Sequence, residues 1–102
     1  MNFVIADTFL KSLAQLDHQS QTQAKQTAFD FQSGTTQPSH QFHRIEKSKD
    51  RNFWSLRVSD DVRIIVYQER DTRVLCYVDH HDKAYDWAER RRFAINPHTG
   101  AA

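Results

Sequence analysis

Apolar residues along this chain predict helices in the first half and strands in the second. Residues 2–6 predict a short strand, and Asp7 or Thr8 follows it as a helix cap. A first helix is marked by apolar residues at helical spacing: Phe9, Leu10, Leu13, Ala14 and Leu16. This helix should end near His18.

A second helix is predicted directly after the first. Its buried face is marked by Ala24, Ala28 and Phe31. Ser20 and Gln23 form a possible capping box at its start, and Gly34 should end it. Residues 34–43 then form a polar connection, and residues 44–52 form a short, charged and partly looped segment.

The alternating pattern of residues 53–79 predicts three antiparallel strands. If residues 59–61 form the first turn, Arg57 lies opposite Arg63. One face of the sheet is then apolar and should carry the helices: Trp54, Leu56, Val58, Val62, Ile64, Val66, Val74, Cys76 and Val78. The opposite face is too polar to predict a second full core.

The second turn extends this register to the last strand. If residues 70–72 form it, Glu69 lies opposite Arg73, and Arg63 lies opposite Asp79. A closing helix should follow, from about Asp82 to Arg92.

The predicted fold is therefore α+β, with a strand, two helices, a three-stranded meander and a closing helix. The helices should cover one face of the sheet. We expect a single domain over residues 1–92, followed by a tail or the start of a linker over residues 93–102.

Composition fits one globular domain with an anionic partner. The chain has 102 residues, of which 38% are hydrophobic and 26% are charged. The net charge is only +1, but twelve of the fourteen Lys and Arg residues lie between Arg44 and Arg92. The chain has a single cysteine, Cys76, which excludes an internal disulfide and, in an apolar strand, predicts an inert core thiol. This cysteine usage favours a cytoplasmic protein. No apolar run has the length of a membrane span, and the first residues do not resemble a signal peptide.

The row formed by Arg57, Arg63 and Asp79 is open to two interpretations. Asp79 can pair with Arg63 and a turn aspartate with Arg57, which makes the row structural. Alternatively, an anion offsets the repulsion between the two arginines. His80 and His81 follow the last strand, and histidine suits proton transfer near neutral pH, so the second interpretation places RNA in a cleft beside them.

Metal binding and nucleotide hydrolysis are both disfavoured by the sequence. His80 and His81 are adjacent on an extended strand and should point to opposite faces, and no further metal motif is present. The chain also lacks a glycine-rich phosphate loop. We therefore expect no metal and no cofactor. Four other histidines carry no pattern and should be solvated: His18, His40, His43 and His98.

The stretches LRVSDDVRIIVY and YVDHHDKAY, in this order of elements, resemble the RelE/ParE superfamily of type II toxin–antitoxin toxins. The resemblance covers most of the chain and is strongest from Arg44 to Trp87, where FWSLRVSDDVRIIVY is similar to the YoeB branch. It implies a ribosome-dependent endoribonuclease that cuts messenger RNA and is neutralised by a cognate antitoxin.

The resemblance also implies roles for individual residues. Arg63 matches the arginine that stabilises the scissile phosphate, and His80 or His81 matches the general acid. Tyr85 matches a tyrosine near the last helix, and Glu46 is a weak match to the general base. Further cations are expected to contact RNA: Arg44, Lys47, Lys49, Arg51 and Arg57.

Two other functions remain open at this stage. Phe53 and Ser55 occupy positions where RelE has lysines, so a mechanism based on strand lysines is not available. The ending of the chain, from VDHHDKAYDWAERRR to NPHTGAA, resembles a segment ahead of some superfamily 1 helicase motors. The alternatives are therefore a noncatalytic binding domain, including this helicase-associated form, and a ParE-like gyrase inhibitor.

Overall fold

A computed structural model describes residues 2–35 and 40–91 of the chain. The predicted tail at residues 93–102, the predicted helix end at Arg92 and the solvated position expected for His98 lie outside the described residues. The domain boundary at residue 92 therefore stays a prediction.

The described residues form a five-stranded sheet with three helices. In chain order the elements are β1 (Asn2–Ile5), α1 (Asp7–Ala14), α2 (His18–Ser33), β2 (His43–Arg44), β3 (Phe53–Arg57), β4 (Val62–Glu69), β5 (Thr72–His80) and α3 (His81–Arg90). The strand order is β1-β5-β4-β3-β2, with β1 parallel to β5 and the other pairs antiparallel. The α+β class is confirmed, and β2 is a strand that the sequence pattern did not predict.

The helix ends were only partly predicted. Ala6, not Asp7 or Thr8, is the N-cap of α1, and no side chain caps this end. Asp17 caps α2 by accepting a hydrogen bond from the backbone N–H of Ser20, so the predicted capping box was wrong. The prediction for Gly34 is confirmed, because it ends α2 with a left-handed φ of 76°.

The buried side of α1 also differs from its apolar pattern. Phe9 and Ser12 are buried, whereas Leu10 is 51% exposed. Ser12 is buried because its hydroxyl accepts a hydrogen bond from the backbone N–H of Val78 at 3.0 Å. A polar residue that faces the sheet edge can therefore be part of the core when it is hydrogen-bonded. The hydrophobic pattern of the sequence does not predict the burial of such a residue.

The first predicted register is confirmed. Arg57 lies opposite Arg63 and Leu56 opposite Ile64, and the backbone N–H of Val58 bonds the carbonyl of Val62.

The second predicted turn was wrong by one residue, and a bulge compensates for the error. Glu69 lies opposite Thr72, so Arg70 and Asp71 alone form the turn, and Arg70 has a positive φ of 53°. Ile65 pairs with Tyr77, but its neighbour Val66 pairs with Leu75 and leaves Cys76 as the extra residue of a bulge. Beyond the bulge the predicted pairing of Arg63 with Asp79 is confirmed.

The bulge also changes which face of the sheet some residues occupy. The face under α1 and α2 carries the first core cluster: Phe9, Leu16, Ala24, Phe31, Leu56, Val62, Ile64, Val66, Leu75 and Val78. The opposite face packs against α3 in a second cluster: Ala6, Ile45, Phe53, Ile65, Tyr67, Val74, Cys76, Ala84 and Ala88. The predictions of one helix-covered face and of no second core were therefore wrong. Val74 and Cys76 belong to the second cluster.

Side chains of α1 complete the edge of β5 beyond the point where β1 ends. The hydroxyl of Thr8 donates to the carbonyl of Cys76 at 2.5 Å, and Ser12 accepts from the N–H of Val78. These bonds satisfy backbone groups that would otherwise be unpaired at a sheet edge.

Cys76 is fully buried, as predicted for a core thiol. Burial raises the pKa of its thiol to about 12. None of the described helices has the length and apolar character needed to cross a bilayer.

Candidate functional site

An open groove of about 720 Å³ lies between α3 and the segment around β2. Ten residues line it: His43, Arg44, Ile45, Glu46, Lys47, His81, Asp82, Tyr85, Asp86 and Glu89. Glu46, His81 and Tyr85, to which the family resemblance of the sequence assigns catalytic roles, therefore share one groove. Arg44 and Lys47, from the predicted RNA contacts, lie there too.

Two anchors hold the segment that carries Glu46. Ile45 is buried in the second core cluster, and its backbone N–H donates to the carbonyl of Phe53 at 2.9 Å. Ser48 donates to the carbonyl of Ala88 in α3 at 3.0 Å. The segment between these anchors is thereby fixed against α3, although the sequence pattern reads only as a charged loop.

Tyr85 connects the groove to the sheet beneath it. Its hydroxyl lies 2.9 Å from the hydroxyl of Ser55, which is fully buried, and 3.4 Å from Nε2 of His43. His43 and Ser55 are register partners across β2 and β3. His43 is exposed, as expected, but it contributes to the site, and neither it nor Ser55 was identified from the sequence as a functional residue. The sequence analysis did not identify them because it did not predict β2, and the pairing of β2 with β3 is what sets His43 beside Ser55 and Tyr85.

The two adjacent histidines lie in different surroundings. His81 lines the groove, and its Nδ1 lies 3.0 Å from a carboxylate oxygen of Asp82. The carboxylate of Asp82 accepts the proton on Nδ1 of His81. Nε2 is therefore the ring nitrogen of His81 that this carboxylate does not engage. His80 instead bonds the carboxylate of Asp61 in the turn between β3 and β4 and is not part of the groove lining.

Charge is unevenly distributed over the two walls of the groove. The wall around β2 carries two cations, Arg44 and Lys47, and one carboxylate, Glu46, whereas α3 carries three acidic residues: Asp82, Asp86 and Glu89. Asp86 pairs with Arg90 at 3.1 Å. An anionic ligand is therefore favoured on the β2 side of the groove and repelled on the α3 side.

The arginine row lies beside this groove and not in its lining. Arg57 pairs with Asp60, as the structural interpretation predicted for a turn aspartate. Nη1 of Arg63 donates to the carbonyls of Ser59, Asp60 and Val62, at 2.5, 3.3 and 3.1 Å. All three bonds use one guanidinium nitrogen, and arginine has five N–H donors.

The ion pair between Arg63 and Asp79 that the structural interpretation of the row includes is not found among the described residues. Asp79 instead accepts hydrogen bonds from the hydroxyl of Tyr77 at 3.1 Å and from the backbone N–H of His80 at 2.8 Å. Arg57 is two residues from Ser55 on the same strand, so the arginine row and Ser55 share one face of the sheet.

The remaining predicted RNA contacts, Lys49 and Arg51, do not line the groove. Within residues 2–35 and 40–91, no three His, Cys, Asp or Glu side chains cluster closely enough to hold a metal ion.

No family model and no curated protein matches the sequence. Solved structures do match. The chain is similar to a protein in the crystal structure of a RelB-RelE antitoxin–toxin complex from Methanococcus jannaschii, with a TM-score of 0.61 and 19% identity. The match covers 82% of this chain and 96% of that one. The chain has a RelE-like fold.

Two structures from Helicobacter pylori match the same fold. One is a copper-bound mutant toxin, with a TM-score of 0.61, 16% identity and coverage of 81% of this chain and 97% of that one. The other is a conserved hypothetical protein solved in solution, with a TM-score of 0.57, 16% identity and coverage of 80% and 96%. The RelE-like fold predicted from the sequence is therefore confirmed, and α3 and the β2 segment frame the groove on this fold.

Proposed function

We propose that this protein is the toxin of a type II toxin–antitoxin pair and acts as a ribosome-dependent endoribonuclease on messenger RNA. The observation that carries the proposal is the shared groove of Glu46, His81 and Tyr85. A carboxylate and an imidazole on one groove supply the base and the acid that RNA cleavage requires.

Glu46 is the proposed general base, and His81 is the proposed general acid. Glu46 takes the proton of the ribose 2′-hydroxyl, whose oxygen attacks the adjacent phosphorus. The bond from phosphorus to the 5′-oxygen breaks, and Nε2 of His81 protonates that oxygen. The products are a 2′,3′-cyclic phosphate and a 5′-hydroxyl.

Cations offset the negative charge that builds up on the phosphate. Arg63 is assigned to the scissile phosphate, because its guanidinium uses only Nη1 for the turn carbonyls and the arginine row shares a sheet face with Ser55. Arg44 and Lys47 are assigned to the RNA backbone along the β2 wall.

The proposed protein partner is a cognate antitoxin. The similar Methanococcus chain was solved in an antitoxin–toxin complex, which is the reason for this assignment. Co-expression with the product of an adjacent small reading frame should yield a stable complex and restore growth. A neighbouring product that neither binds nor restores growth would argue against that antitoxin.

The decisive experiment adds the purified protein to ribosomes translating a defined messenger RNA. We expect cleavage in the decoding site, with a 2′,3′-cyclic phosphate on the upstream fragment, and no cleavage by the Glu46→Gln variant. The matched control is Glu89→Gln, which removes another carboxylate of the same groove.

Other outcomes identify the alternative functions. Growth arrest with intact messenger RNA and inhibited gyrase would replace the nuclease by a gyrase inhibitor. Intact messenger RNA together with harmless expression would leave a noncatalytic binding domain, including one that serves a helicase.

A further inference from the structure

A second cleft lies on the other side of α3 from the groove. It has a volume of about 360 Å³ and is lined by residues of α1, β5 and the C-terminal end of α3. Trp87 lines this cleft, whereas Tyr85 lines the groove. The two residues are two positions apart, which is about 200° around a helix, so α3 separates the two sites.

The two sites differ in the sign of their charge. The groove is lined by two cations and four carboxylates, of which Asp86 is paired with Arg90. The second cleft is lined by two cations, Lys11 and Arg91, and by one carboxylate, Asp79. A polyanion such as RNA is therefore attracted by the second cleft, whereas the groove lining as a whole carries negative charge.

Aromatic rings hold the guanidinium of Arg91. The rings of Tyr77 and Trp87 stack with centroids 4.7 Å apart and an angle of 2° between their planes. The guanidinium of Arg91 lies over the Trp87 ring, 4.8 Å from its centroid. A guanidinium that stacks on a ring keeps its N–H donors at its edge, where they match two oxygens of a phosphate.

The charged groups of the cleft have few partners of their own. Within residues 2–35 and 40–91, neither Lys11 nor Arg91 forms an ion pair. The carboxylate of Asp79 accepts hydrogen bonds from the hydroxyl of Tyr77 at 3.1 Å and from the backbone N–H of His80 at 2.8 Å. The cleft therefore presents two cations, one from α1 and one from the end of α3, against a single carboxylate.

We propose that the second cleft binds a backbone phosphate of RNA through Lys11 and Arg91, outside the groove in which cleavage is proposed to occur. The choice of RNA as the polyanion rests on the proposed nuclease function. Phosphate contacts position a nucleic acid without reading its sequence, so the cleft supplies attraction while the groove supplies the chemistry. The messenger strand beyond the groove and ribosomal RNA present the same phosphate, and binding measurements distinguish them.

The first measurement is fluorescence anisotropy of the intact protein with a labelled single-stranded RNA oligonucleotide at several salt concentrations. Lys11→Ala/Arg91→Ala should bind several-fold more weakly, and the slope of log Kd against log salt should fall by about 0.7 for each lost phosphate contact. Asp79→Asn should bind more tightly, because it removes the negative charge of the cleft lining. Lys25→Ala is the matched control, since it removes an exposed helical lysine that lines neither site, and it should leave the slope unchanged.

The second measurement repeats the comparison with ribosomes that carry no messenger RNA. Weaker binding of the double variant to the oligonucleotide supports a messenger strand in the cleft, and weaker binding to the ribosomes supports ribosomal RNA. Unchanged binding to both probes would overturn the proposal. Poly-glutamate that binds more tightly than the oligonucleotide, and loses affinity in the double variant, would replace RNA by an acidic protein segment and overturn it as well.

Failure of this proposal is distinguishable from failure of the nuclease proposal. Weaker RNA binding by the double variant, together with no messenger RNA cleavage by the wild type, would support the cleft and overturn the nuclease. Cleavage by the wild type, together with unchanged RNA binding by the double variant, would overturn the cleft alone.

Discussion

The imidazole of His81 meets the phenol ring of Tyr85 edge to face, with ring centroids 4.5 Å apart and an angle of 69° between the planes. The two residues are four positions apart in α3, so helical geometry places them on one face. Asp82 holds Nδ1 of His81, and Ser55 holds the hydroxyl of Tyr85. Both rings are therefore fixed at the same wall of the groove.

Because His81 and not His80 lines the groove, the two adjacent histidines should differ in activity. Replacing His81 by alanine should lower the single-turnover rate of messenger RNA cleavage by about 10²–10⁴-fold, the usual effect of a lost general acid. His80→Ala, which removes an adjacent histidine bonded to Asp61, should keep most of the rate. Circular dichroism of both variants verifies the fold. A large loss in His80→Ala with an active His81→Ala would reverse the assignment.

Arg63 and Arg57 face each other across the sheet and form a second matched pair. Arg63→Ala should relieve growth arrest and lower the cleavage rate, because its guanidinium is assigned to the scissile phosphate. Arg57→Ala should have a smaller effect, since Arg57 is paired with Asp60. Thermal unfolding separates lost chemistry from lost stability, because Arg63 also bonds two carbonyls of the turn and that of Val62 at the start of β4. Full toxicity of a folded Arg63→Ala variant would contradict its role.

The opposite charges on the two walls predict opposite effects on RNA affinity. Lys47→Ala should weaken binding of a short RNA and reduce the dependence of binding on salt, because one phosphate contact is lost. Glu89→Gln should strengthen binding about twofold or more, because it removes a negative charge from the α3 wall. Fluorescence anisotropy at several salt concentrations measures both. Equal affinities for the wild type and both variants would place the RNA outside the groove.

Cys76 predicts a loss of stability at alkaline pH. Its thiol ionises near pH 9 when unfolded, whereas burial raises the pKa to about 12 in the folded protein. Between these values the unfolded chain releases a proton that the folded chain keeps, so the free energy of unfolding falls as pH rises above 9, and this effect is absent below pH 9. The fall approaches about 1.4 kcal/mol per pH unit for one proton.

Urea denaturation from about pH 7 to 11 measures this fall. Cys76→Ala should show a shallower dependence on pH even if it is less stable throughout. A residual slope is expected, because burial, followed by the hydrogen bond to Glu69, raises the pKa of Tyr67 to about 12. Identical slopes for the wild type and Cys76→Ala would refute the contribution of the thiol.

The sequence by itself determined the order of most elements and the pairing of β3 with β4. The reason is local: the Gly34 helix end, the three-residue turn at residues 59–61 and the alternating pattern each act over a few residues. It also brought Arg57, Arg63 and Asp79 into one row, because the turn error before β5 was offset by the extra residue at Cys76.

Only the tertiary structure decided which residues share the groove. The two-residue strand β2 is too short to give a periodic signal, yet its pairing with β3 sets His43 opposite Ser55. The bulge at Cys76 interrupts the strict alternation of β5, so Val74 and Cys76 lie on the opposite face from the one that alternation predicts. The helix α3 covers this second core, whereas α1 and α2 cover the first. This packing places His81 in the groove lining and His80 outside it, and it brings the hydroxyl of Tyr85 to that of Ser55. Contacts between residues that are distant in sequence depend on how the layers pack and not on the local pattern.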